Sequence, residues 1–227
     1  LLVVPGFLQV ELKIELPTPL EIIILLFIFS AEILGEIGSY YTRIPNWDTM
    51  LHTLNGFLAA AIGFSLVDIL NRHEKAGVNL SPLYLAIAAF CFSMTIGVMW
   101  EFFECSMDMF FGFDTQKDTV VHSISSVMLD PSGSQKVVHI DNITEVIVNG
   151  QELGLGGYLD IGLLDTMKDL FVNFIGAVVF SIIGYFYVKK RGEGRFAKKF
   201  IPTIKKEDAD YLKIVEEREE EILTENK

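Results

Sequence analysis

Four apolar stretches of membrane-spanning length, about residues 20–40, 48–70, 82–111 and 161–189, each carry ionisable side chains near one end. That combination constrains the fold more than any other feature of the chain. A helix needs roughly 20 apolar residues to cross a bilayer, and ionisable groups at that depth normally face a bundle interior or a wet cavity. The 227-residue chain is 51% hydrophobic and 12% aromatic, with a mean hydropathy of +0.40, well above an ordinary soluble domain. The fold class expected is an all-α polytopic membrane protein, with about four transmembrane helices in this fragment and a small β-rich extracytoplasmic insertion. No helix in the sequence reads as interrupted.

The predicted organisation has four parts. Residues 1–113 hold an interfacial segment and the first three spans, residues 114–160 the insertion, residues 161–190 the fourth span, and residues 191–227 a charged cytoplasmic tail. The stretch LQVELKIELP before the first span alternates apolar and polar residues, a period that suits a strand or a surface-lying segment. The insertion is rich in β-branched residues and carries turn signals at Asp130-Pro131-Ser132-Gly133 and Asn149-Gly150. Cations crowd the end of the fourth span (Lys189, Lys190, Arg191, Arg195, Lys198, Lys199) and the loop after the second (Arg72, Lys75), whereas the first turn holds only Arg43. By the positive-inside rule the former two lie in the cytoplasm and the insertion faces outward.

The formal charge of −12 leaves no basic footprint for nucleic acid. Cys91 and Cys105 fall in one predicted helix, too far apart to bridge. The chain begins at Leu1 and lacks a charged n-region or small-residue cleavage site, so it is expected to be a fragment inserted by its own or by upstream spans. Asn142-Ile143-Thr144 matches a glycosylation acceptor, which matters only in a eukaryotic secretory setting. His73, His122 and His139 read as loop histidines.

The ionisable residues fall at one depth. Asp48 and His52 open the second span, Glu101, Glu104 and Asp108 close the third, Asp165 and Asp169 open the fourth, and Glu32 and Glu36 close the first. Residues three or four apart share a helix face, so each helix carries one such stripe, expected to point inward. Gly56 and Gly176 continue two of the stripes and permit close helix approach. Carboxylates so concentrated repel one another unless a cation intervenes. Asp48, His52, Glu101, Glu104, Asp108, Asp165 and Asp169 are therefore the candidate metal ligands, with Glu101 and Glu104 as candidate catalytic bases. Oxygen-rich ligation with one imidazole suits a divalent metal such as Mg²⁺, Mn²⁺ or Zn²⁺. Asp48 and Asp165 also suit helix N-termini, Lys168 can neutralise a neighbouring aspartate without metal, and the Glu-x-x-His pairs of di-metal bundles are absent.

At WDTMLHTLNGF, GVMWEFFECSMD and DTMKDLFVNFIGA the chain resembles the YjdF-like inner-membrane proteins, an uncharacterised bacterial family. A weaker similarity, in D-x-x-x-H-x-x-x-G at Asp48, His52 and Gly56 and in the pattern ending at Asn173, Gly176 and Ala177, is to VanZ-like proteins. The resemblance implies a bacterial cytoplasmic membrane and helices upstream of Leu1. It implies no reaction, and the long insertion departs from the YjdF-like pattern.

Three roles follow from these residues. One is a metal-dependent hydrolase or transferase acting at the outer leaflet on a lipid-linked or envelope substrate. The second is a proton- or cation-coupled transporter, the third a non-enzymatic membrane subunit.

Overall fold

The computed structural model describes residues 14–72, 80–190 and 196–204. Most of the alternating segment, His73, Lys75, Arg191, Arg195 and the tail from residue 205 lie outside the described residues. The chain divides into two compact units, one of residues 1–97 and 172–227, the other of residues 98–171.

In the first unit, strand β1 (Ile14–Glu15) pairs antiparallel with β8 (Thr203–Ile204). Helix α1 (Thr18–Phe29) starts with a proline in its first turn, where the missing N–H costs nothing. From Ser30 to Ile37 the helix widens to π geometry, closed by the Gly38 N–H donating to the Ile33 carbonyl at 2.8 Å. The first apolar stretch is therefore an α-helix continued by a π-helix and not one uniform span, a change that an apolar run cannot signal. A side chain at Gly35 would overlap the Tyr41 ring, so the wide segment packs on the short helix α2 (Tyr40–Arg43). Ser39, in the left-handed region at φ 57°, makes the reversal between them.

Among the described residues, helix α3 (Trp47–Arg72), helix α4 (Pro82–Phe111) and helix α5 (Leu163–Lys189) are the three helices long and apolar enough to cross a membrane. At 1.5 Å per residue each exceeds the roughly 30 Å hydrocarbon core. The first unit's core joins Leu20, Leu58, Phe64, Leu85, Ala89 and Phe180. Aromatic edges interlock there, with ring centroids 5.1 Å apart for Phe57 and Phe180 and 5.2 Å for Phe57 and Phe200. Small residues fill the seams, since a Cβ at Gly63 would meet the Phe92 ring and one at Gly184 the Phe64 ring.

The second unit contains the end of α4, three two-stranded antiparallel sheets and the start of α5. Helix α4 ends at Gly112 (φ 69°), whose N–H donates to the Asp108 carbonyl while that of Phe113 reaches back to Met107, a glycine-based helix stop. Strands β2 (Val120–Val121) and β7 (Tyr158–Leu159), β3 (Ile124–Ser126) and β4 (Val138–Ile140), and β5 (Ile147–Val148) and β6 (Gln151–Glu152) then pair. Asn149 and Gly150, both at positive φ, make the two-residue turn of the last hairpin, as their sequence signals. Gly157 is the only buried residue between 114 and 160, so ladder and loop hydrogen bonds hold these strands in place of an apolar core.

Asp130 supplies several of those bonds. Its carboxylate accepts from the N–H and hydroxyl of both Ser132 and Ser134 and from the Lys136 N–H. The Ser132 hydroxyl and N–H, with Ser134 and Lys136, hold this carboxyl far below the usual aspartate range. A depressed folded-state value means that the stabilisation is complete above the ordinary value of 3.8 and is lost as pH falls through the lower folded one. Asp130→Ala is expected to speed amide exchange at Ser134 and Lys136 at neutral pH, read by mass spectrometry, with the helices unaffected. Asp160 similarly accepts from the N–H groups of Thr119 and Leu164, each at 2.7 Å. Burial raises its carboxyl, but the backbone donors of Thr119, Leu164 and Gly162 outweigh that and leave it below the usual value.

Candidate metal centre

On α3, Asp48 and His52 sit one turn apart, and the imidazole Nε2 lies 3.4 Å from the carboxylate Oδ1. His52 is only 8% exposed. The contact follows from i,i+4 spacing alone. One turn further along, the backbones of α3 and α5 come into van der Waals contact, because a Cβ at Gly56 would overlap the Asn173 carbonyl and one at Gly176 the Thr53 carbonyl.

A buried polar layer fixes that crossing. The Asn55 amide donates to the Asn173 side-chain oxygen at 3.1 Å, and the Ser93 hydroxyl of α4 donates to the Gly56 carbonyl at 2.7 Å. Asn173 and Ser93 are fully buried. Hydrogen bonds between apolar helices lock register and rotation more than they add stability. A double-mutant cycle on Asn55→Ala and Asn173→Ala is expected to return a coupling of about 0.6–2 kcal/mol in thermal unfolding.

In the second unit, α4 continues with Glu101, 4% exposed, between the exposed Trp100, Phe102 and Phe103. Glu104, on the same face, is half-buried, and its backbone carbonyl accepts from the Thr115 hydroxyl at 3.0 Å. Asp108 has a different task. Its carboxylate accepts from the Thr115 N–H and hydroxyl at 2.6 and 2.5 Å and from the Gln116 N–H at 2.8 Å, so it shapes the turn leaving α4. At the start of α5, Asp165 accepts from the Lys117 N–H at 3.0 Å and from the Lys168 ammonium at 3.2 Å. Asp169 is 2% exposed, and its Oδ1 lies 3.7 Å from the Lys168 nitrogen.

Among the described residues, acidic and histidine side chains form groups that could hold a metal ion; their members are Asp48 and His52 in the first unit and Glu101, Glu104 and Asp169 in the second. Asp108 and Asp165 are not among them. Glu32 and Glu36, on the π-helical segment, are exposed, so that stripe does not point inward as the sequence suggests. Carboxylate oxygens with one imidazole are a hard to borderline donor set that fits Mg²⁺, Mn²⁺ or Zn²⁺. Several buried or half-buried polar residues among those described carry no motif in the sequence, Asn55, Ser65, Asp68 and Ser93 among them. Asn55 and Ser93 lie among apolar residues with no motif to mark them. Ser65 and Asp68, 2% and 5% exposed toward the other end of α3, leave only the i,i+3 spacing as a signal.

Three apolar helices with buried ionisable side chains define a helical membrane protein. The chain belongs to the family described as predicted membrane protein (DUF2238), which matches residues 1–190. The YjdF-like resemblance is consistent with that family, and the match lends no support to the VanZ-like one. No curated protein and no solved structure matches the chain.

Proposed function

We propose that Asp48, His52, Glu101, Glu104 and Asp169 hold one divalent cation, and that the chain is a metal-dependent hydrolase or transferase of a lipid-linked or envelope substrate at the outer face of a bacterial cytoplasmic membrane. The observation that carries this reading is burial. Three ionisable side chains less than a tenth exposed, His52, Glu101 and Asp169, carry a desolvation cost that a divalent charge offsets.

A cation bound there supplies Lewis acidity toward a phosphoryl or carbonyl oxygen. The protein supplies the rest. Asp48 lies 3.4 Å from the His52 ring, one helical turn away on the same face, and joins it as a ligand. Glu104, the less buried of the two glutamates, takes the proton from attacking water in this reading, with Glu101 the other candidate base. The cationic end of α5 supports the cytoplasmic placement of that end and the outward placement of residues 114–160.

Titrating the detergent-purified chain with Mn²⁺ in a calorimeter tests the reading. Saturable binding near one ion per chain, lost on His52→Ala, is expected, and heats that do not saturate overturn it. Asp68 and Ser65, buried on α3, favour the second reading, cation-coupled transport. That reading predicts Mn²⁺ or proton flux into proteoliposomes that Asp68→Asn abolishes.

A further inference from the structure

Lys168 is the cation of the acidic neighbourhood at the start of α5. Its side chain is 46% exposed and its ammonium lies 3.2 Å from Asp165 Oδ1 and 3.7 Å from Asp169 Oδ1, whose carboxylates are 14% and 2% exposed. The Asp165 contact is ordinary i,i+3 pairing on a helix. The Asp169 contact is not, because consecutive helical residues point about 100° apart and do not face each other. The lysine stem has folded back to bring its charge to a carboxylate that is withdrawn from water.

We infer that Lys168 is an exchangeable cation: it neutralises Asp169 when no metal is bound, and it turns to the phosphate group of the substrate when a divalent ion takes Asp169. This rests on the metal reading above. The stem is long and flexible and ends in a compact, strongly hydrated point charge, so it can change partners with no movement of the helix. A divalent ion at Asp169 repels an ammonium 3.7 Å from the same oxygen. The displaced ammonium stays beside the ion and on the exposed side of it, tethered by Asp165. A metal ion and a lysine held side by side match a phosphate, which has oxygens for both. They do not match a neutral or cationic substrate.

The full chain in phosphatidylcholine nanodiscs, titrated with Mn²⁺ and then with inorganic phosphate, tests the exchange. The parent is expected to bind phosphate on the order of tenfold more tightly with Mn²⁺ present than without. Lys168→Gln is expected to bind Mn²⁺ at least as tightly as the parent, because a competing cation is gone, and to lose the phosphate enhancement. Lys168→Arg keeps the charge and should keep the enhancement, which separates loss of the ammonium from loss of fold. A Mn²⁺-loaded Lys168→Gln protein that binds phosphate like the parent overturns the exchange and leaves the metal reading standing. A parent that binds no Mn²⁺ overturns both. Repeating the titration in nanodiscs containing phosphatidic acid tells the phosphate source. Suppressed binding of free phosphate identifies a lipid head group as occupant, and unchanged binding identifies a water-soluble phosphate, each with the same exchange at Lys168.

Discussion

Gly56→Ala is expected to destabilise the protein by about 3 kcal/mol, near the upper end for overpacking, and to lower its unfolding midpoint by roughly 10 °C. The reason is the crossing of α3 and α5. The added methyl would overlap a backbone carbonyl oxygen, that of Asn173, and a backbone atom in the middle of a helix cannot swing aside as a side-chain tip can. The two helices would separate, and the Asn55–Asn173 and Ser93–Gly56 hydrogen bonds would stretch with them. Gly176→Ala, which meets the Thr53 carbonyl from the other side, should cost a similar amount. Gly112→Ala is the control. It has open space around it but stands at φ 69°, so its cost should be the backbone strain alone, about 1–2 kcal/mol. Thermal unfolding of the three variants in one detergent ranks them, and a Gly56→Ala protein as stable as Gly112→Ala would mean that α3 and α5 cross less closely.

His52→Ala is expected to have the largest effect on metal affinity, a loss on the order of 100-fold or more, beyond what removal of outer-sphere partners produces. His52 is the one imidazole among the proposed ligands, and the other four are carboxylates that can substitute for one another. Single carboxylate variants should therefore weaken binding less, since the remaining oxygens still share the ion. Asp108→Ala should leave affinity unchanged, because its carboxylate is engaged by Thr115 and Gln116, and should instead loosen the turn after α4. Calorimetry on the four variants His52→Ala, Glu104→Ala, Asp169→Ala and Asp108→Ala gives the order directly. Equal losses for His52 and Asp108 would place the ion elsewhere.

Much of this was open to reading from residue order because it depends on local periodicity. The apolar runs from Trp47, Pro82 and Leu163 are helices, Asp48 and His52 meet at i,i+4 spacing, and Asn149-Gly150 turns a hairpin. Each is set by neighbours within a turn or two. The features that escaped depend on distant partners or on exact backbone geometry. Nothing near Ser30 announces the π-helical widening, which is completed by packing of Gly35 on Tyr41. The pairing of Ile14–Glu15 with Thr203–Ile204 joins opposite ends of the chain. Asp108 looked like a ligand from its helical spacing, and only the path of the following loop brings Thr115 and Gln116 onto it. The pairing of Lys168 with the aspartates beside it, by contrast, was legible from their spacing.

In the proposed function, buried histidine and carboxylate groups of this membrane protein hold one divalent ion. Elemental analysis of the detergent-purified protein, beside His52→Ala and the double variant Glu104→Ala, Asp169→Ala, is the decisive measurement. Close to one equivalent of Mg, Mn or Zn in the parent, lost in both variants while they remain folded, is the predicted result. A parent without metal after exposure to each ion, or metal retained undiminished in both variants, would contradict it.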